Sequence, residues 1–171
     1  FDILEDIKPV RGRMELAATK KNGATVYVDY AHTPDAIEVA LKSLKPHILG
    51  KLIVVIGAGG ERDEGKRPLM GAAAEQNSDF VIITDDNPRN EDPSVIHQMI
   101  KKGIQNTNKV EIIADRAQAI LTAVDLLDVG DGLLIAGKGH ETEQVIGENN
   151  FPFDDFEQAS LSVASLDGVE Q

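Results

Sequence analysis

The sequence predicts an α/β fold in which a doubly wound, mostly parallel sheet, mixed at one edge, carries helices on both faces. Three observations lead there. Five β-branched or aliphatic runs recur along the chain, at Thr25 to Asp29, Leu52 to Gly57, Phe80 to Thr84, Val110 to Ala114 and Leu133 to Ala136, each bounded by Gly, Asp or Asn. Between them lie stretches whose apolar residues recur at helical spacing. Asn22-Gly23, set between two alternating runs, marks a hairpin that makes the amino-terminal edge antiparallel. Strand-helix alternation over 171 residues is the pattern of a sheet wound on both sides.

Each element has its own justification. The five runs are too short and too apolar for surface helices, and they read as strands buried on both faces. Ile37, Ala40, Leu41 and Leu44 share one helical face, as do Val95, Ile96, Met99 and Ile100, and again Ile120, Ala123, Val124 and Leu127. Thr33-Pro34 and Asp92-Pro93 place a capping side chain before a first-turn proline, which fixes where two of these helices begin. Asp154 to Gly168 reads as a final helix followed by a frayed tail. With 42% apolar residues, 171 residues suffice for one domain with its own core, and residues 1–12 read as a linker or the end of a preceding domain.

Composition narrows the function. Seventeen basic against twenty-nine acidic side chains leave a net charge of −12, which repels a nucleic acid or an anionic bilayer. The longest aliphatic run, Leu52 to Ile56, is far too short to cross a membrane. Without cysteine there is no disulfide framework and no thiolate metal site, so a reducing compartment is permitted. Phe1-Asp2-Ile3-Leu4-Glu5-Asp6 has neither an initiator Met nor a basic leader, and reads as the middle of a longer protein.

Ligands of wound sheets bind beyond the carboxyl ends of the strands, where loops converge and helix amino termini present free N–H groups. The unusual polar residues of this chain fall on that edge. They are Asp29-Tyr30-Ala31-His32, then Gly59-Gly60-Glu61-Arg62-Asp63 with Lys66-Arg67-Pro68, Asp85-Asp86-Asn87-Pro88-Arg89, Asp115-Arg116, and Gly137-Lys138-Gly139-His140-Glu141. An acidic protein that gathers Arg62, Lys66, Arg67, Arg89, Arg116 and Lys138 there predicts a pocket for a carboxylate or phosphate.

The individual motifs sharpen this expectation. Gly57-Ala58-Gly59-Gly60 is not a dinucleotide fingerprint, because the third glycine would fall on Arg62. Gly132 to Gly139 is not a phosphate-binding P-loop, because strand core fills its free positions and Gly139 stands where Ser or Thr would bind magnesium. Glycines on either side of Lys138 let the backbone approach a ligand, or else form an ordinary strand-to-helix turn. His140-Glu141 has no second histidine at ligand spacing, so no metal site is expected. His32 stands where it could stack on or hydrogen-bond a nucleotide, whereas His47 and His97 read as solvent-exposed. In Asp86-Asn87-Pro88-Arg89, Pro88 pins the loop, Asn87 offers donor and acceptor, and Arg89 can grip a carboxylate with two parallel bonds. The alternative for the same four residues is a rigid turn with a surface arginine.

Taken in order, Gly12-Arg13-Met14-Glu15, Asp29-Tyr30-Ala31-His32-Thr33-Pro34-Asp35, Gly59-Gly60-Glu61-Arg62-Asp63, Lys66-Arg67-Pro68, Asp86-Asn87-Pro88-Arg89 and Gly137-Lys138-Gly139-His140-Glu141 resemble the carboxy-terminal domain of the Mur ligases, in particular those that add meso-diaminopimelate to the peptidoglycan precursor. The resemblance implies a Rossmann-like domain of an ATP-dependent amide ligase of the cytoplasm. In that ligase a glutamyl carboxylate is phosphorylated and the amine of the incoming amino acid attacks the acyl phosphate. It implies that Arg62, Asp86, Asn87, Pro88, Arg89, Gly137 and Glu141 form the diaminopimelate site. Arg62 and Arg89 would neutralise carboxylates, and Glu141 with the Gly137 carbonyl would receive the distal ammonium. It implies that Arg13, Asp29 and His32 face the nucleotide, with Arg13 steadying the transferring phosphoryl charge. ATP and Mg2+ would be held mainly by a central ATPase domain, and the UDP-MurNAc-dipeptide by an amino-terminal domain, both upstream of this chain. The alternatives are a sibling amide ligase, either lysine-adding or a folylpolyglutamate synthase, and a non-catalytic nucleotide-binding or dinucleotide-dependent α/β module.

Overall fold

Four of the five helices start where a side-chain oxygen can satisfy a free first-turn N–H. Thr33 Oγ1 accepts from Ala36 N at the start of α1 (Pro34–Leu44), and Asp92 Oδ1 accepts from Ser94 N before α3 (Pro93–Lys101). Asp115 does the same for α4 (Arg116–Asp125), and Asp154 for α5 (Asp155–Asp167). The fifth helix, α2 (Lys66–Asn77), begins at Gly65 without a side-chain cap. These elements come from a computed structural model that describes residues 10–168. The proposed linker therefore lies outside the described residues for positions 1–9, as does the tail after Gly168.

The strands are β1 (Glu15–Thr19), β2 (Thr25–Asp29), β3 (Leu52–Ile56), β4 (Phe80–Ile83), β5 (Val110–Ile112) and β6 (Gly132–Ala136), joined in the order β1-β2-β6-β3-β4-β5. Only β1 runs antiparallel, through the Asn22-Gly23 turn, and the other pairs are parallel, so the sheet is mixed as expected. Full burial holds for β3 and β6, whose every residue is buried. It fails for β2, where Val26 and Val28 are buried while Thr25, Tyr27 and Asp29 are only half-buried, and for β5, where Glu111 is exposed. The reason is position: β5 is an edge strand, and helices cover β2 well on one face only.

Because successive strand side chains point to opposite faces, β3 feeds two cores. Leu52, Val54 and Ile56 pack with Ile37, Leu41, Met70 and Ile100 under α1, α2 and α3. Ile53 and Val55 pack with Ile120, Val124 and Val163 under α4 and α5. The winding direction thus reverses around β6, which lies between β2 and β3. Loops leaving the carboxyl ends of these strands splay apart there and open a crevice. A small antiparallel hairpin, β7 (Glu143–Ile146) with β8 (Asn149–Pro152), follows β6 and stands over that crevice. The sequence did not signal this hairpin, whose eight residues include only Val145, Ile146 and Phe151 as large apolar side chains.

Helix α2 is held against α3 by a missing side chain. A Cβ on Gly71 would stand 2.1 Å from the Ile100 carbonyl oxygen, so the two helices can approach only over a glycine. Alanine normally stabilises a helix interior by roughly 1 kcal/mol over glycine. Here the clash outweighs that gain, and Gly71→Ala is expected to destabilise the domain by about 1–3 kcal/mol, as overpacking does. A urea midpoint equal to or above that of the unsubstituted protein would show that the helices can part without cost.

Candidate functional site

The crevice contains a cavity of about 240 Å3 at the carboxyl ends of β2, β3, β4 and β6. Arg62, Asp86, Asn87, Arg89, Gly137 and Glu141 all line it, although they come from three separate loops. Lys66, Tyr30, His32, Gly57, Ala58 and Gly59 complete the wall. Pro88 lies behind the lining and is buried. A site of drug-sized ligands commonly encloses roughly 300–1,000 Å3, so this volume suits a single amino acid better than a nucleotide.

Backbone contacts explain how the Asp86-Asn87-Pro88-Arg89 loop keeps its shape. Gly60 N donates to Asn87 O at 2.8 Å, and a Cβ on Gly60 would fall 1.9 Å from the Pro88 carbonyl oxygen, so only glycine lets the two loops meet. Arg89 adopts φ 52°, a strained conformation for a long side chain. It is held there by the hairpin, since Arg89 N donates to Val145 O at 3.1 Å and Gly147 N donates to Arg89 O at 2.7 Å. Its guanidinium bonds to Gly60 O and Asn87 O both use Nη1, so the other face of the fork remains for a ligand. Gly137, at φ 118°, passes Asp86 so closely that a Cβ would lie 2.6 Å from Asp86 Oδ2.

The six cations assigned to this edge divide into two groups, and this corrects the expectation that all of them face an anion. Arg62, Lys66 and Arg89 line the cavity, whereas Arg67, Arg116 and Lys138 are fully buried behind it. Arg116 pairs with Asp155 through Nε and Nη2, both at 2.7 Å, and donates to the carbonyls of Asp85, in the loop after β4, and of Ala136, the last residue of β6. Burial alone would lower the Arg116 pKa, but the charge and hydrogen bonds of Asp155 outweigh it and hold the guanidinium above its ordinary value. Lys138 Nζ donates to Asn87 Oδ1 at 2.7 Å and to Glu143 O at 2.8 Å. Its burial pushes the ammonium below the ordinary lysine range, against the pull of nearby Asp86. Arg67 bonds Glu91 and Gly59 O, and Glu91 in turn accepts from Glu61 N, so one ion pair ties the loop carrying Arg62 to the loop carrying Arg89.

The nucleotide candidates occupy the rim. Asp29 Oδ1 accepts from Ala31 N and Oδ2 from Met14 N, so both oxygens shape the loop. The Arg13 guanidinium lies 5.2 Å from the Tyr30 ring centroid. His32 is exposed beside the same ring and lines the cavity, with Nδ1 2.7 Å from Tyr30 O, so Nδ1 is engaged within the chain. Tyr30 thus organises the rim, a role its place in the motif did not reveal. His47 is exposed as expected, but His97 is only 4% exposed and sits with Nε2 2.7 Å from Asp85 Oδ1, off the line of its N–H. Helical periodicity placed His97 beside the apolar face, and the acidic loop in front of α3 covered it. Among the described residues no three His, Asp or Glu side chains are placed to hold a metal ion, and no helix is long and apolar enough to cross a membrane.

A family model described as "Mur ligase, glutamate ligase domain" matches residues 12–139. The chain belongs to the Mur ligase family. Among its relatives, proteins named UDP-N-acetylmuramoyl-L-alanyl-D-glutamate–2,6-diaminopimelate ligase are 48% identical in Agrobacterium fabrum, over 96% of this chain, and 50% identical in Coxiella burnetii, over 94%. A solved structure of a ligase of that name superposes with a TM-score of 0.87 at 40% identity over 94% of the chain. A Thermotoga maritima folylpolyglutamate synthase matches over 75% of it with a TM-score of 0.55 and 28% identity. This Mur ligase chain spans about a third of the length of the curated relatives it matches, 33% and 32% for the two above.

The Arg67–Glu91 pair gives the site a pH signature. Its guanidinium, aided by the Glu61 amide, holds the Glu91 carboxyl down to about 2 from an ordinary value of 4.5. A carboxyl with a depressed folded pKa adds stability above pH 4.5, and that contribution fades as pH falls toward 2. Glu91→Gln leaves Arg67 buried without its anion, so it is expected to cost about 2–4 kcal/mol at pH 7. The gap between the two proteins should narrow from pH 4.5 downward in chemical denaturation. A gap independent of pH would mean that Glu91 contributes shape and not charge.

Proposed function

We propose that this chain is the amino-acid-binding domain of an ATP-dependent amide ligase that adds meso-diaminopimelate to UDP-N-acetylmuramoyl-L-alanyl-D-glutamate during peptidoglycan synthesis in the cytoplasm. The observation that carries this reading is the convergence of Arg62, Asp86, Asn87, Arg89, Gly137 and Glu141 on one cavity of about 240 Å3. Charges of both signs in so small a space suit a zwitterion, since a phosphate would be opposed by Asp86 and Glu141. Diaminopimelate carries two carboxylates and two amino groups. Arg62 and Arg89 pair with carboxylate, and Glu141 with Asp86 receives one ammonium, which leaves the other amine to attack the activated carboxylate. The names of the relatives support the same substrate.

ATP supplies the phosphoryl group that activates the carboxylate of the precursor. Arg13 and His32, exposed on the rim beside Tyr30, are placed to meet that nucleotide as it arrives from another part of the ligase. Arg13 would balance charge developing on the transferring phosphoryl oxygens. Among the described residues no three His, Asp or Glu side chains are grouped to hold a metal ion. In this reading magnesium and the precursor are held mainly by other domains of the ligase. The chain alone is expected to turn over neither ATP nor precursor.

In the full-length enzyme, Arg89→Ala removes one partner of a charged pair. It should lower kcat/KM for diaminopimelate by roughly thirty- to several thousand-fold, equivalent to about 2–5 kcal/mol. Steady-state assays with diaminopimelate, lysine and glutamate as the incoming amine separate the family's branches. A variant that kept the original preference for diaminopimelate over lysine would remove Arg89 from the reading, and turnover with glutamate alone would favour a folylpolyglutamate-type ligase.

A further inference from the structure

Lys138 sits directly beneath the proposed amino-acid cavity, is fully buried, and does not line it. Its Nζ has three protons to place in a site closed to bulk solvent. Two go to Asn87 Oδ1 at 2.7 Å and Glu143 O at 2.8 Å, and the ammonium also stands 3.8 Å from Asp86 and 3.7 Å from Glu141.

The contact to Asn87 has a consequence for recognition. An asparagine amide can be turned either way in a cavity, and its neighbours decide which end faces where. Asn87 Oδ1 accepts from Lys138 Nζ and, at 2.9 Å, from Val145 N. An ammonium and a backbone N–H are donors without an acceptor lone pair, so the amide nitrogen cannot take that place. The nitrogen must face the opposite way, and Asn87 Nδ2 does donate to Glu141 Oε2 at 3.3 Å. Its second N–H remains for the cavity. Asn87, which by composition offers both donor and acceptor, therefore presents only a donor to a ligand.

We infer that Lys138 is a positioning residue for substrate selection: it fixes the Asn87 amide with N–H toward the cavity, so that this point of the site accepts a ligand carboxylate and rejects an ammonium. The inference rests on the amino-acid-binding reading above and adds to it a residue that touches no substrate. Gly137, where a Cβ would lie 2.6 Å from Asp86 Oδ2, lets the backbone just before Lys138 pass close to the loop that carries Asn87.

The test uses the full-length ligase and measures KM separately for diaminopimelate, ATP and the UDP-linked precursor, with thermal unfolding alongside. Lys138→Met should raise KM for diaminopimelate about ten- to hundredfold, the effect of a lost hydrogen bond to a charged group, with the other two constants little changed. In an Asn87→Ala background the same change should add almost nothing. Asn87→Asp keeps the oxygen that Lys138 holds but replaces the donor by an anion, so it should impair diaminopimelate binding at least as much as Asn87→Ala. If Lys138→Met does not fold, Asn87→Asp still tests the donor that the inference requires, and normal diaminopimelate binding by that variant overturns it. The inference is overturned if Lys138→Met leaves the diaminopimelate KM unchanged, if all three constants rise together, or if Asn87→Asp binds diaminopimelate normally. An unsubstituted enzyme that does not use diaminopimelate at all would instead overturn the substrate reading.

Discussion

Arg67, Arg116 and Lys138 are withdrawn completely from water, and the site depends on how that burial is compensated. An ion in a protein interior is tolerable only with close oxygen partners, because an uncompensated charge costs several kcal/mol. Apart from the Asp155 carboxylate that pairs with Arg116, the oxygens they bind belong to the loops and strand ends around the cavity. Arg116 takes Asp85 after β4 and Ala136 at the end of β6, Arg67 takes Gly59 and Glu91, and Lys138 takes Asn87 and Glu143. Relaxing these loops would take hydrogen-bond partners from a buried cation, and for Arg67 it would take the counter-ion as well. The cavity is thus held in shape before a ligand arrives, which lowers the ordering cost of binding.

The same side-chain types do opposite work according to depth. Arg62 and Arg89 keep donors available at the cavity wall, while the buried three use theirs on the protein itself. Even Arg89 is only partly free, because the β7–β8 hairpin fixes its backbone in a conformation that a long side chain seldom adopts. The hairpin therefore belongs to the site although it contributes little to either core. On the proposed reading, a cavity that combines fixed cations, fixed carboxylates and an oriented amide would select by the order of charges along a ligand as much as by its size.

Much of this was legible in advance. Asn22-Gly23, Thr33-Pro34 and Asp92-Pro93 are local devices whose geometry follows from the residues themselves, and each appears where the chain places it. The carboxyl-edge residues were legible for a different reason: parallel strands must deliver the loops after them to one rim. Other features left little local trace. Helix α2 lacks a cap, and its apolar face is made of small residues such as Gly71, Ala73 and Ala74, which give a weak periodic signal. The β7–β8 hairpin is short and largely polar, and its partner is the Arg89 backbone more than the core. His97 looked like a surface residue because nothing on its own helix announces Asp85 across from it.

By itself, then, the sequence determined what is local or periodic: the five parallel strands, helices α1, α3, α4 and α5, the caps at Thr33 and Asp92, the antiparallel edge, and the rim on which the polar motifs gather. Only the tertiary structure decided which cations stay in water, which end of the Asn87 amide faces the cavity, and that Arg62, Arg89 and Glu141 share one space. The physical reason is that period and capping act over a few residues, whereas burial and charge pairing are set by groups tens of positions apart, such as Arg116 with Asp155 and Asn87 with Lys138.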